Sequence, residues 1–384
     1  MHSPILGPAP APPPADDQRV LGTVAVVGTG LIGTSIALAL TGQGVTVHLD
    51  DHDPAHARTA ASLGAGVTET ADGPVDLAVI AVPPAHVGRT LRALQRRGVA
   101  RAYTDVASVK VQPWRDVVAL GCDAGTYVGG HPMAGRERSG PLAAQAGLFD
   151  GRAWVLSPSR RTGPYALRAA TELVHRCGAV PVMMTPGLHD SAVALVSHAP
   201  HVVSALMAAR LQYATDGELR LAGQGLRDVT RIAGGDPDLW VEILTANSAA
   251  VADVLEDLAQ DLEGVANALR RSSQAGQDVR REGAELIRHT LRRGQTGHGR
   301  LPGKHGGARI PCEAVLVRIG DEPGELARLL DDTRTLGVNI EDVTIQHDAG
   351  RSGTVELLVA AGAAEKLACE LGRQGWPCEV GEGA

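Results

Sequence analysis

The stretch LGTVAVVGTGLIGTSIALALTGQGVTVHLDD, residues 21–51, decides the fold of this chain. Its opening, LGTVAVVG, is a run of small and β-branched apolar residues ending in glycine, the pattern of a strand buried on both faces of a parallel sheet. LIGTSIALALTGQG then reads as an apolar helix and VTVHLDD as a second buried strand. Between the first strand and the helix stands Gly28-Thr29-Gly30-Leu31-Ile32-Gly33, a G-x-G-x-x-G. Gly28 permits the tight turn, Gly30 lets the backbone approach a pyrophosphate, and Gly33 allows helix and strand to pack closely. The helix N-terminus supplies free N–H groups and the positive end of its dipole. An acid at the end of the second strand accepts hydrogen bonds from ribose hydroxyls and repels a 2'-phosphate, which selects NAD over NADP. Asp50 and Asp51 both stand there, and Asp51 is preferred.

Outward from this core the alternation continues. VDLAVIAVPP is a further buried strand stopped by Pro83 and Pro84, with Val82 and Pro83 at the edge where a dinucleotide would lie. AYTDVAS and TYVGGHPM are two more strands. Strand and helix alternate over residues 20–185, which predicts a doubly wound α/β domain of Rossmann type. Residues 1–19, with PAPAPPPADD, predict a disordered tail rather than a signal peptide. From Pro186 the pattern becomes Ala- and Leu-rich at helical period, so residues 186–293 predict an all-helical domain. Residues 294–309 are rich in Gly and Arg and read as a linker. Residues 310–384 alternate as βαββαβ, a compact α+β module.

The 384 residues exceed what one ordinary core serves and agree with several domains. Aromatic residues are 2% of the chain, with one Phe, so the cores must be aliphatic. A net charge of −7 gives no electrostatic reason to expect nucleic-acid binding, and an anionic substrate would have to meet a local Arg or His. The five Cys are scattered without CxxC or zinc-type spacing, which predicts reduced thiols in a cytoplasmic protein and no metal site. No apolar run looks long enough to span a membrane.

Three segments place polar residues where plain packing has little use for them. Asp105-Val106-Ala107-Ser108-Val109-Lys110 and Gly129-Gly130-His131-Pro132 each follow or end a strand, where open α/β sheets bind ligands. A histidine held by proline and flanked by glycine can titrate near neutral pH and act as a base. The third segment is helical. Ser197 and His201, in SHAPH with His198 between them, are four apart on one face; Asp228 and Arg231, in RDVTR, are three apart and suit an ion pair. Two His, two Ser and an Arg beside a nicotinamide site suit a substrate with carboxylates and a hydroxyl.

GLIGTSIA, DVASVK, GGHPMAGRERSGP with the later LFDG, LHDSAVALVSHAPH and GLRDVTRIAGGDPDLWVEI resemble, in order over about residues 20–290, the prephenate and arogenate dehydrogenases. DEPGELARLL and LGVNIEDV resemble an ACT domain, and RLPGKHGG recurs in family members that carry one. DVASVK departs from the pattern in its Ala, and LDDHDP doubles the acid.

The resemblance implies NAD-dependent oxidative decarboxylation of prephenate to 4-hydroxyphenylpyruvate in tyrosine biosynthesis. His131 would take the proton of the ring C4 hydroxyl, and Ser108 would support that hydroxyl. Arg231 would hold a substrate carboxylate with Asp228 as its partner. Ser197, His201 and Trp240 would line the pocket, and Glu137 would reach a neighbouring subunit. It further implies a homodimer through the helical domain. Tyrosine feedback is implied at contacts between C-terminal modules, near Gly324, Glu325 and Asn339. Alternatives are the same chemistry on arogenate and a non-catalytic regulator sensing NAD and amino acids. A β-hydroxyacid dehydrogenase would need a lysine in the helical domain, yet Lys110, Lys304 and Lys366 are the only ones.

Overall fold

A computed structural model of the chain describes residues 20–135, 139–274, 277–301, 311–347 and 352–381. The expected tail at 1–19, Glu137 and positions 302–309 of the expected linker lie outside them. The chain divides into two compact units, Met1–Arg293 and Gly294–Ala384.

The first unit opens with strand β1 (Thr23–Val27), helix α1 (Leu31–Thr41) and strand β2 (Thr46–Asp50). Helix α2 (Pro54–Ser62), β3 (Val75–Ile80), α3 (Val87–Arg97), β4 (Ala100–Asp105), α4 (Val111–Ala119) and β5 (Tyr127–Pro132) follow. Two strands that the sequence reading did not single out, β6 (Ala153–Ser157) and β7 (Val180–Met183), flank helix α5 (Pro164–Arg176) and complete the sheet. Its order is β2-β1-β3-β4-β5-β6-β7. Strands β1 to β5 pair in parallel, whereas β6 pairs antiparallel with β5, setting His131 opposite Val155.

The strands bury both faces because their alternate residues serve two cores. Val24, Val26, Leu77 and Val79 face α1 and α5 through Ile36, Leu40 and Leu173. Ala25, Ala78 and Ile80 face α3 and α4 through Leu91, Leu94 and Val117. The strand order reverses between β1 and β3, which opens a crevice at the carboxyl ends of the strands. Gly28, Ala81-Val82-Pro83, Ala107-Ser108 and His131 all lie along that edge.

Beyond β7, helix α6 (Pro186–Val193) passes through a π-helical turn (Ala194–His198) into α7 (Ala199–Leu211). This continuous run corrects the expectation of no membrane-length apolar segment: Pro186–Leu211 is long enough to cross one, and an 18-residue window of it is apolar enough by composition, at mean hydropathy 1.5. One side of it carries buried His189, Asp190, His198, His201 and Ser204, while Leu188, Leu195, Val196, Val203, Leu206 and Met207 are exposed. Helices α8 (Asp216–Leu219), α9 (Gln224–Thr230), α10 (Pro237–Ala246), α11 (Ser248–Gln274) and α12 (Gln277–Gly299) follow. Helix α12 runs into the segment read as linker. Arg293 forks onto Asp261 of α11 at 2.9 and 3.1 Å, and a glycine costs a helix only about 1 kcal/mol, too little to end one held in this way.

The second unit contains β8 (Cys312–Gly320), α13 (Glu325–Thr335), β9 (Ile340–His347), β10 (Ser352–Ala360), α14 (Ala364–Arg373) and β11 (Cys378–Gly381). The βαββαβ order forms a four-stranded antiparallel sheet, β11-β8-β10-β9. Val315, Val317, Val355 and Leu357 pack with Leu329, Leu367, Leu371 and Trp376 of the helical layer and its end.

Candidate active site

The glycine turn is built as its spacing requires. Gly28 has φ +100°, and a Cβ there would lie 2.3 Å from the Ala81 carbonyl oxygen. At Gly33 a Cβ would meet the Gly28 carbonyl oxygen at 1.9 Å, so any side chain would force α1 off the sheet. Gly30, at the head of α1, faces open space and provides no side-chain cap. The amides of the first turn of α1 are thus left for an incoming anion. This cradle fits a dinucleotide.

The two acids behave differently. Asp50 lends its backbone oxygen to the Gly28 amide at 2.8 Å, and its side chain is exposed. Asp51 accepts from the Thr29 amide (2.6 Å) and hydroxyl (2.9 Å) and from the Asp53 amide (2.9 Å). Burial raises its pKa, but these hydrogen bonds outweigh that and hold the carboxyl below its usual range. Asp51 therefore braces the glycine turn while remaining ionised at the end of β2.

Beneath the carboxyl edge lies a buried ionic knot. The Lys110 ammonium contacts the Asp105 carboxylate and donates to the Gly130 carbonyl at 2.5 Å. Tyr127 donates its hydroxyl to the other Asp105 oxygen at 2.5 Å. Burial pushes the Lys110 pKa down against the pull of Asp105, and burial with the Asp105 charge pushes the Tyr127 phenol well up. The knot joins the β4–α4 connection to β5 just before His131. Ser108 above it is half-buried, and its hydroxyl makes no hydrogen bond among the described residues.

His131 does not stand alone. Its Nδ1 lies 2.8 Å from His189 Nε2, and His189 Nδ1 lies 2.7 Å from Asp190 Oδ1. His189 is fully buried and Asp190 nearly so. Asp190 also accepts from the Lys110 amide (2.7 Å) and the Val111 amide (2.9 Å), stitching α6 to the start of α4. Burial pushes the Asp190 carboxyl up, yet the His189 and amide hydrogen bonds prevail and lower it. Burial, with His189, Lys110 and His198 nearby, sets the His131 pKa well below the ordinary histidine value. The near-neutral titration expected from the sequence is corrected by this desolvation.

The helical residues form a second group. His201 stacks on Trp240, rings 3.6 Å apart and 11° from parallel, and His198 meets the same indole edge-on at 6.2 Å. Asn247 Nδ2 bonds the Asp190 carbonyl (2.8 Å) and lies 3.1 Å from His198 Nδ1. Burial drives the His198 pKa down to about 4. Ser197 is half-buried on the π-helical turn. That wide turn breaks the simple four-residue spacing and brings His198 and His201 inward together.

Arg231 and Asp228 are exposed at the end of α9, outside the buried chain of hydrogen bonds; Asp228 accepts from Gln224 at 2.8 Å. Sequence reasoning did not assign His189, Asp190, His198 or Asn247. The adjacent His-Asp in LHDSAV was the available signal, but its link to a residue 58 positions away is visible only in three dimensions.

Residues 36–183 match the family model for the prephenate dehydrogenase nucleotide-binding domain, and residues 185–282 match that for the prephenate dehydrogenase dimerization domain. The chain is 43% identical to the probable prephenate dehydrogenase NovF of Streptomyces niveus, over 92% of this chain and 99% of that one. The chain belongs to the prephenate dehydrogenase family.

Among solved structures of the family, prephenate dehydrogenase from A. aeolicus, in complex with hydroxyphenyl propionate and NAD+, superposes with a TM-score of 0.63. It is 28% identical and covers 73% of this chain and 98% of its own. The Synechocystis arogenate dehydrogenase aligns at TM-score 0.58 and 26% identity, over 72% of this chain and 99% of its own. His131 falls within the nucleotide-binding match, which begins at residue 36, just past the glycine cradle, and the His189–Asp190 pair with the His201–Trp240 stack falls within the dimerization match.

Proposed function

We propose that this chain is an NAD-dependent prephenate dehydrogenase that oxidatively decarboxylates prephenate to 4-hydroxyphenylpyruvate, supplying tyrosine synthesis in the cytoplasm. One observation carries the reading: His131, at the end of β5, lies on the same sheet edge as the glycine cradle, with one ring nitrogen anchored and the other making no hydrogen bond among the described residues.

The chemistry that bound NAD would supply is acceptance of a hydride from the substrate ring. The protein's own residues position and polarise. Gly28, Thr29, Gly30, Leu31, Ile32 and Gly33 would hold the pyrophosphate, Asp51 with Asp50 beside it would meet the ribose, and Val82 and Pro83 would flank the cofactor. His131 takes the C4 hydroxyl proton as that oxygen becomes a carbonyl, and Ser108 supports the hydroxyl. The ring carboxylate leaves as carbon dioxide and the ring aromatises. Arg231, aided by Asp228, grips the side-chain carboxylate, while Ser197, His201 and Trp240 line the pocket. Fixing the carboxylates removes orientational freedom before the step.

Mixing the protein with prephenate and NAD should raise the absorbance of reduced cofactor, and His131→Asn should lower kcat by about 10²–10⁴-fold while leaving prephenate affinity nearly intact. Normal turnover in that variant removes His131 from the mechanism. Comparing kcat/KM for prephenate and arogenate decides between substrates that differ only at the side-chain end.

The family's dimerization match and the exposed apolar side of α6–α7 support a homodimer. The C-terminal module is read as an ACT domain taking tyrosine. Gly324 and Glu325 begin α13 and Asn339 follows its far end, so one ligand touching all three would bridge two copies.

A further inference from the structure

We propose that Asp190 and His189 are positioning residues that fix the tautomer of His131, leaving its Nε2 as the unprotonated nitrogen that faces chemistry. The proposal deepens the dehydrogenase reading and rests on it for the direction of proton transfer.

Asp190 is an acceptor only: its two oxygens take the Lys110 and Val111 amides, and Oδ1 also meets His189 Nδ1 at 2.7 Å. His189 Nδ1 must therefore carry its proton. With one proton per imidazole, His189 Nε2 is then a bare lone pair, 2.8 Å from His131 Nδ1. That distance requires a donor, and His131 Nδ1 has to supply it. The remaining nitrogen, Nε2, is left unprotonated. One carboxylate thus specifies, through two rings, which nitrogen of His131 can act as a base.

The same chain answers for the charge. As the substrate O–H bond breaks, the proton joins His131 Nε2 and the ring becomes an imidazolium whose Nδ1–H still points at His189. The polarised His189 and the Asp190 anion behind it oppose the cost of that charge. The other groups facing His131 work against it: the Lys110 cation from the start of α4 and His198 from the π-helical turn. Lys110 is itself tied to Asp105, which limits its repulsion. A carboxylate that orients a catalytic histidine from behind has this role in serine hydrolases, where it also holds the tautomer. Here a second imidazole is inserted between them.

The decisive measurement needs no substrate. In the full-length protein labelled with 15N-histidine, the His131 resonances, identified by their loss in His131→Asn, should report a protonated Nδ1 and a bare Nε2 at neutral pH. His189→Leu should convert His131 to the Nε2-protonated form. It should lower kcat at least about tenfold with KM for NAD nearly unchanged, and shift the acid limb of the kcat profile. His189→Gln can present a carbonyl oxygen to His131 and an amide to Asp190, so it should recover part of the loss. It leaves the Asp190 caps on Lys110 and Val111 in place, which guards against a mere folding failure. An Nε2-protonated His131 in the unaltered protein, or a His189→Leu variant with unchanged tautomer and kcat, overturns the proposal. Absence of any prephenate turnover alongside the expected tautomer would instead defeat the dehydrogenase reading and leave the tautomer assignment standing.

Discussion

A histidine serves as a base only while its lone pair is free, and the surroundings of His131 keep it so. Burial first, and then the Lys110 and His198 groups nearby, disfavour the charged ring. The acid limb of kcat should therefore lie below pH 6.5, the unperturbed value, and a profile rising through 7 to 8 would contradict this. The same desolvation bears on stability. His198 is neutral in the fold down to about pH 4, whereas in the unfolded chain it takes up a proton below about 6.5. Between those values the unfolded state binds more protons, so stability falls as pH drops through that window and is fully present above it. Tm should decline from pH 6.5 to 4, and His198→Gln should flatten that decline. A Tm constant across the window would refute the assignment. Of these residues, His131 was legible from its Gly-Gly and Pro neighbours. The lowered pKa was not, because desolvation depends on what packs around the ring.

The strand–turn–helix element separates two uses of glycine that spacing alone runs together. Gly28 adopts a left-handed conformation against the Ala81 carbonyl, so Gly28→Ala should lower Tm and impair NAD binding together. Gly30 faces open space, so Gly30→Ala should keep Tm within a degree or so of the parent, given that unstrained surface changes lie within about 0.5 kcal/mol, yet raise KM for NAD. Equal Tm losses in both variants would mean that Gly30 serves packing rather than the cofactor. The run from α6 to α7 teaches the converse lesson. Its composition announces a helix, but the π-helical turn at Ala194–His198, which brings His198 inward beside His201, has no sequence signature. Such wide turns persist where a functional site holds them.

At the scale of the whole molecule, the exposed apolar side of α6–α7 stands out among the described residues. Leu195, Val196, Leu206 and Met207 are exposed in the single chain, and a contiguous apolar patch of this kind calls for a partner. Replacing Leu195 and Leu206 together by Asp should convert a dimer to monomer in light scattering, without loss of the NAD-binding fold; a double variant that remains dimeric would place the interface elsewhere. In the C-terminal module, Gly324 and Asn339 lie beyond opposite ends of α13, so the proposed ligand, touching both, would join two copies. Calorimetry with tyrosine should give heat and a matching fall in activity, and silence on both counts would leave that module a purely structural element.

By itself the sequence determined the layered α/β domain with its glycine turn, the helical domain and the βαββαβ module, because hydrophobic period and turn chemistry are local properties. It also marked His131, Ser108 and His201 by their neighbours in the chain. Only the tertiary structure decided the antiparallel β6, the helical course of residues 294–299, the Lys110–Asp105–Tyr127 knot and the Asp190–His189–His131 relay. Those depend on hydrogen bonds and burial between residues far apart in the chain, and no local pattern encodes which distant side chain will close the distance.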